Sequence, residues 1–504
     1  MFFLLKTLIY IDVLLAVGLG LFRYALRPQY RAVMTPQVVV LALLTPVVAL
    51  FCGNIYLFCV YLVVAVAFNS RSRAELAGNF VFLLPLMPIL AVETGVGSIY
   101  LLAISTVLAM SLGALIGFVV TSNAKPLILH RYDLGIVALI GLFMYMSGRE
   151  ANATVLLRVL TTNVLSVLGP YLLISRAFRG VEDVERLLLR LSLGGVLVGV
   201  TACFQAIRHW VLFETYYQAL HVSIPITSAS LALRAGALRT GGSMVDYSAA
   251  GLFLAAVLTL MPFMRPRFRP IGFWMVVAIL AAGLVATQSR GAWVATVTGL
   301  AFVFVLRGLW LRTLLLGGGA VALVLTARLF ATSGRLAAIV GKTGEGDVTV
   351  SYRQELATLG LQQIKAHPLF GQPPDQLVQN LQQLLQGQHI VDFVNGHLYI
   401  AMVAGVPLFL LWCLVWLMPI VEAWRGRGKA SNFMEAPAAI IVPVMVALIF
   451  TSFADRNLVW PIIALGIAGP CLALNRQRRS PRERGQAALG LPLVARVPIA
   501  AGVA

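Results

Sequence analysis

The sequence predicts an all-α, polytopic membrane protein. Apolar stretches recur along the whole chain, which is 60% hydrophobic and 11% charged. Many of them reach the roughly 20 residues that a helix needs to cross a bilayer. They lack the period-2 alternation of a membrane barrel, and lipid admits only helices or closed barrels as spanning structures. The polar breaks between them alternate between basic and nearly neutral.

About 14 or 15 spans fit this ladder. They centre near residues 14, 44, 61, 85, 109, 141, 165, 198, 255, 280, 299, 320, 408, 445 and 466. The pair at 37–51 and 55–68 is short, as expected of a tight hairpin or one re-entrant element. Only Lys6 precedes the first apolar run and no small-residue cleavage site follows it, so no cleavable signal is expected. The chain divides into a transmembrane domain over 1–475, a polar loop subdomain at 329–396, and a basic tail over 476–504.

Lysine and arginine in short loops set orientation. With the tail (Arg476, Arg478, Arg479, Arg482, Arg484, Arg496) in the cytoplasm, the cytoplasmic loops contain Arg23 to Arg31, Arg71 and Arg73, Lys125 and Arg131, Arg176 to Arg190, Arg265 to Arg269, Arg307 and Arg312, and Arg425 to Lys429. Most of the 38 basic residues fall there. The N-terminus, the 208–246 loop, Arg290 and the 329–396 loop then lie outside the cytoplasm. This bias, with anionic headgroups, accounts for most of the +19 charge without nucleic acid. The five cysteines sit in or beside apolar runs with no CxxC spacing, and small buried hydrophobes explain them. The chain has no DxD, HExxH or Walker A pattern, and no metal or cofactor is expected.

The large loop carries its own helical signals. Ser351-Tyr352-Arg353-Gln354 fits a capping box. A helix with Leu356, Leu359 and Ile364 on one face would follow, ended by Pro368. A second amphipathic stretch runs from Asp375 to Gln388, its polar face made of glutamines. Such a face suits either a helix lying on the domain mouth or a wall that hydrogen-bonds hydroxyls.

The exceptions to the charge rule are the candidate functional residues: Arg149, Arg158, Arg208, Arg234, Arg239, Arg290, Arg328, Arg335, Lys342, Arg353, Lys365 and Arg456. Arg290 stands between two apolar helices in Thr287-Gln288-Ser289-Arg290-Gly291-Ala292-Trp293, at or just below the membrane surface. An ionisable residue there marks function by default, and guanidinium is suited to phosphate. Snorkelling to headgroups is the plainer alternative. Arg234 and Arg239 precede Thr240-Gly241-Gly242, where glycine would let backbone approach a ligand; an ordinary turn would look the same. Arg353 falls in the first turn of the loop helix, where a solvated position also fits. His397 follows Asn395-Gly396 at the mouth of the next span, and histidine is the common general base near neutral pH.

These motifs resemble the O-antigen ligase and Wzy-type polysaccharide polymerase superfamily. Gln288 to Trp293 resembles its SRGAW-type motif. Tyr352-Arg353 followed by His367-Pro368-Leu369-Phe370-Gly371 is similar to its "R…hPlfG" segment. Asp392 to Gly405 is similar to its loop-to-helix motif, and Arg239–Tyr247 is a weaker match. Leu398 stands where ligases place Asn after the His, and Val403-Ala404 where they place an acidic residue, which points to the polymerase branch.

The resemblance implies a GT-C-like helical glycosyltransferase of the bacterial inner membrane with a large periplasmic loop. Its donor would be an undecaprenyl-diphosphate-linked oligosaccharide. Arg290, Arg353, Arg239 and Arg234 would hold the diphosphate, with Arg290 also aiding departure, and His397 would orient or deprotonate the acceptor hydroxyl. The product would be an exopolysaccharide or O-antigen chain. The alternatives are an O-antigen ligase acting on lipid A core and a lipid-linked oligosaccharide flippase. Membrane lipids, a chain-length regulator and export machinery are the implied partners.

Overall fold

The computed structural model describes residues 1–96, 99–121, 130–149, 152–178, 180–223, 233–234, 237–330, 345–385, 391–427, 432–452 and 455–477. The basic tail after Gln477 lies outside them. The first third contains α1 (Phe2–Ala25), α2 (Pro36–Phe51), α3 (Ile55–Phe68), α4 (Arg73–Leu83), a hairpin of β1 (Ala91–Val96) and β2 (Ile99–Ser105), α5 (Thr106–Val120) and α6 (Arg131–Gly148). Then come α7 (Ala153–Asn163), a π-turn over Val164–Leu168, α8 (Gly169–Ala177), α9 (Val181–Arg208) and α10 (Thr215–Ala219). Strands β3 (Leu233–Arg234) and β4 (Ala237–Leu238) lead into α11 (Tyr247–Met264), α12 (Pro270–Ala286), α13 (Arg290–Leu306) and α14 (Trp310–Phe330). The chain continues with α15 (Glu345–Ala366), α16 (Pro374–Asn380), α17 (Gly396–Arg425), α18 (Glu435–Ala447) and α19 (Asp455–Gln477).

Polar residues start these helices where the sequence offers them. Thr35, Asn54, Ser72, Ser105, Asn152, Asp246 and Asn395 each accept a backbone N–H from the first turn that follows. Among the described residues, six helices are long and apolar enough to cross a membrane, and seven more apolar helices run 10–17 residues. The protein is therefore a helical, multi-pass membrane protein, with fewer helices of full spanning length than the ladder suggested.

Four expectations change. The apolar run near residue 85 is not a span. Pro85 and Pro88 withdraw donors, α4 stops at Leu83, and the chain turns into the β1–β2 hairpin with a register shift at Thr94/Gly95. Ser351 is not a cap, because α15 already begins at Glu345; it does end at Ala366, just before His367-Pro368. The Asp375–Gln388 stretch shortens to α16 and a 3-10 turn at Gln382–Leu384, with 386–390 outside the described residues. The stretch centred at 408 is not one straight span.

Ion pairs gather at one end of the bundle. Arg176 meets Asp133 at 2.7 Å, Arg131 meets Glu422 at 3.1 Å, Arg307 meets Glu435 at 2.7 Å, and Arg267 meets Glu185. Arg27 and Arg269 add backbone bonds to Arg267 and Ala25. These contacts tie together the ends that the charge pattern groups on one side. Arg290 starts the helix whose other end reaches Arg307, so about 25 Å of helix separates it from this basic end.

The opposite end is organised by a break in α17. Gly405 has φ 81°. His397 lies 15 residues before Trp412, a separation of about 22 Å in a straight helix, yet the Trp412 indole N–H donates to His397 Nδ1 at 3.2 Å. The helix is thus folded back on itself at Gly405. The backbone freed at the break pairs with the loop: Gln372 N–H donates to Met402 O at 2.9 Å and Val406 N–H to Pro368 O at 2.8 Å. Arg149 donates to Phe370 O and Val403 O, and Tyr145 to Phe370 O. A Cβ on Gly405 would lie 2.5 Å from Leu369 O, and one on Gly371 (φ 60°) would strike the Val403 carbonyl. The paired glycines of the His367–Gly371 and Asn395–Gly405 motifs thus form one lock.

Replacing Gly405 with Ala should cost about 1–3 kcal/mol from the left-handed backbone alone. Thermal unfolding of the purified protein in detergent should show a lower midpoint; an unchanged midpoint would count against the lock.

Candidate active site

The turn that presents Arg290 is fixed from three sides. Gln288 sits at φ 50°, a conformation that side-chain-bearing residues seldom adopt. Thr287 Oγ1 accepts the Ser289 N–H at 3.2 Å and donates to Leu284 O at 2.7 Å. Trp293 Nε1 donates to Leu284 O at 3.1 Å. The turn is stitched to the segment bearing Arg239: Gln288 Nε2 donates to Leu238 O at 3.4 Å and Thr240 N–H to Ala286 O at 3.2 Å. Arg239 itself lies over the Tyr247 ring at 3.4 Å, and Tyr247 opens α11 beside the Asp246 cap.

Arg353 arrives from the loop helix and donates from Nη2 to Phe450 O at 3.2 Å. Phe450 also packs on the start of α13, where a Cβ on Gly291 would come within 2.6 Å of it. Arg353 and the first turn of the Arg290 helix thus meet at Phe450, and the segment bearing Arg239 is bonded to the turn before Arg290, although the three arginines span 114 residues of sequence. Their Nε atoms are shielded from solvent. Arg234 pairs through its backbone with Ala237 in the β3–β4 hairpin; its side chain is outside the described residues.

The segment Leu448–Ser452 holds the corner together. Gly396 N–H donates to Leu448 O at 2.8 Å and Thr451 O at 3.1 Å. Ser248 and Thr451 share a hydroxyl bond at 3.0 Å, and Ser452 donates to Asp392 Oδ1 at 2.7 Å. Sequence reasoning did not single out this segment. Its one local signal is Thr451-Ser452, a polar pair closing an apolar run.

His397 is held through both ring nitrogens. Trp412 Nε1 can only donate, so His397 Nδ1 is the acceptor of that bond. Its Nε2 lies 2.8 Å from Met445 O, an atom that only accepts, so Nε2 carries the proton. Both ring nitrogens are engaged in joining the two arms of α17 to α18. In this arrangement the Nδ1 lone pair faces the Trp412 indole.

The segment from α12 to the second arm of α17 now has a match among known families. Residues 275–413 match the family model described as O-Antigen ligase. The match supports a likeness to the O-antigen ligase/Wzy-type superfamily, whose activities are of the ligase and polymerase type on lipid-linked glycans. The matched segment contains Arg290, Arg353 and His397, together with both halves of the Gly371–Gly405 lock; Arg239 and Phe450 come from outside it. No curated protein matches the chain.

His397→Ala should strand the Trp412 N–H and the Met445 carbonyl, at about 1–3 kcal/mol for each buried group. Thermal unfolding should register that loss as a lower midpoint. Full stability with abolished turnover would assign His397 the base role.

Proposed function

We propose that the protein is a polymerase that joins undecaprenyl-diphosphate-linked oligosaccharide repeat units on the periplasmic face of the bacterial inner membrane, within a GT-C-like bundle. The observation that carries this reading is that Arg353 meets Phe450 at the start of the Arg290 helix, while the segment bearing Arg239 is bonded to the turn before Arg290. Guanidinium groups stay charged and fork onto phosphate oxygens, so such a corner is a seat for a diphosphate. Arg234 stands close enough in sequence to join them.

In the reaction, the bond from the anomeric carbon to the diphosphate oxygen breaks, and its electron pair stays on the diphosphate. The acceptor hydroxyl oxygen forms the new bond to that carbon. Charge on the leaving group grows as the bond lengthens, and preorganised cations stabilise it most at that stage. The hydroxyl becomes acidic only as its bond to carbon forms, and its proton can pass to the departing diphosphate. This route needs no separate side-chain base and agrees with the engaged imidazole of His397. That histidine acts instead by positioning the corner.

The polymerase reading is favoured over ligation to lipid A core by Leu398 after His397 and by Val403-Ala404 before Gly405. It is favoured over a flippase by the loop, which is fastened to the bundle through the Gly371–Gly405 lock.

The test uses purified protein with lipid-linked repeat units alone. Wild type should yield polymer. Arg290→Ala and Arg353→Ala should each lower turnover by about 10²–10³, the cost typical of one lost charge-stabilising donor. Full activity in both variants would remove the arginines from the chemistry. Units that react only when lipid A core is supplied would identify a ligase.

A further inference from the structure

We infer that the bundle holds a second site for a polyprenyl-diphosphate-linked glycan, organised around Arg158, where the acceptor binds. The inference rests on the polymerase reading, because only a polymerase has an acceptor with its own lipid diphosphate. Two cavities of about 460 and 530 Å³ share Phe143, Arg158 and Thr162 in their walls. The first is mostly apolar, with Leu84, Met87, Leu108, Val167 and Ile462 among its walls. The second is polar and aromatic, with Asn163, Asp375, Asp392, Phe393, Tyr399 and Ser452. Arg158 stands at the junction.

An amphiphile of the form apolar chain, anionic group, sugar would meet these three environments in that order. Carboxylates and amides bond hydroxyls, and aromatic faces cover the apolar faces of sugars. An arginine within an apolar helix that faces a cavity is a functional suspect by default. Arg158 lies in α7, six residues before the π-turn at Val164–Leu168, and such turns recur at functional sites.

The second cavity also abuts the first arginine corner. Ser452 is in its wall, and Phe450, two residues earlier, holds Arg353. Acceptor sugar and donor diphosphate would thus meet across the Phe450–Ser452 turn.

The experiment measures equilibrium binding of farnesyl diphosphate to the full-length protein in detergent, with farnesol, inorganic pyrophosphate and phosphatidylglycerol as competitors. Wild type should bind two equivalents. Arg158→Gln should weaken one of them by about tenfold or more and spare the other, Arg158→Lys should restore part of it, and Arg290→Gln should do the reverse. A single equivalent lost with Arg290→Gln and indifferent to Arg158→Gln would overturn the second site and leave the donor site standing. A single equivalent lost only with Arg158→Gln would sustain this site and overturn the donor assignment. Equal competition by inorganic pyrophosphate at the Arg158 site would overturn the lipid-linked ligand in favour of a free phosphate. Equal competition by phosphatidylglycerol would reassign the site to a structural phospholipid.

Discussion

Backbone groups at membrane depth must find partners inside the protein, because lipid supplies none. That constraint organises the functional end of the molecule. Helix 435–447 stops inside the bundle, and its terminal carbonyls turn to whatever donor is close. Gly396 N–H takes Leu448 O and Thr451 O, the His397 ring takes Met445 O, and Arg353 takes Phe450 O. The break at Gly405 opens a second set, which Gln372 N–H and Arg149 satisfy at Met402 O and Val403 O. The first set is met by α17 and the loop helix, and the second by the loop and the end of α6. The loop is fastened because the helices are interrupted.

Function follows from that fastening. A mobile loop would carry Arg353 through many positions; here it is held at Phe450, on which the first turn of the Arg290 helix also packs. Arg239 joins through the backbone of its neighbours, which pair with the turn before Arg290. Segments carrying three cations are tied to one another without a contiguous motif. On the proposed reading the protein would provide position and charge, and the diphosphate the leaving group and the driving force.

The helical ladder was legible because hydropathy and loop charge respond to the bilayer directly. Arg27, Arg131, Arg176, Arg267 and Arg307 now meet at one end through ion pairs and backbone bonds, as their alternation along the chain implied. Arg290 and Arg353 stood out as cations on the side where cations are rare. Less was visible at residues 84–105, where apolar composition suits a helix and a strand equally until Pro85 and Pro88 decide. Ser351 matched a cap by type alone, since the helix had already begun. His397 carried the chemistry of a base, but the indole and carbonyl that occupy it come from 15 and 48 residues away. Leu448–Ser452 carries little signature beyond Thr451-Ser452, because Leu448, Phe450 and Thr451 act through backbone carbonyls that every residue possesses.

The most direct measurement is a structure of the protein bound to a polyprenyl diphosphate in a lipid nanodisc. Phosphate oxygens should lie within about 3 Å of the Arg290 and Arg353 guanidinium groups, with Arg239 beside them and the imidazole of His397 still between Trp412 and Met445. A diphosphate seated away from Arg290 and Arg353, or an imidazole turned toward the sugar, would contradict this placement.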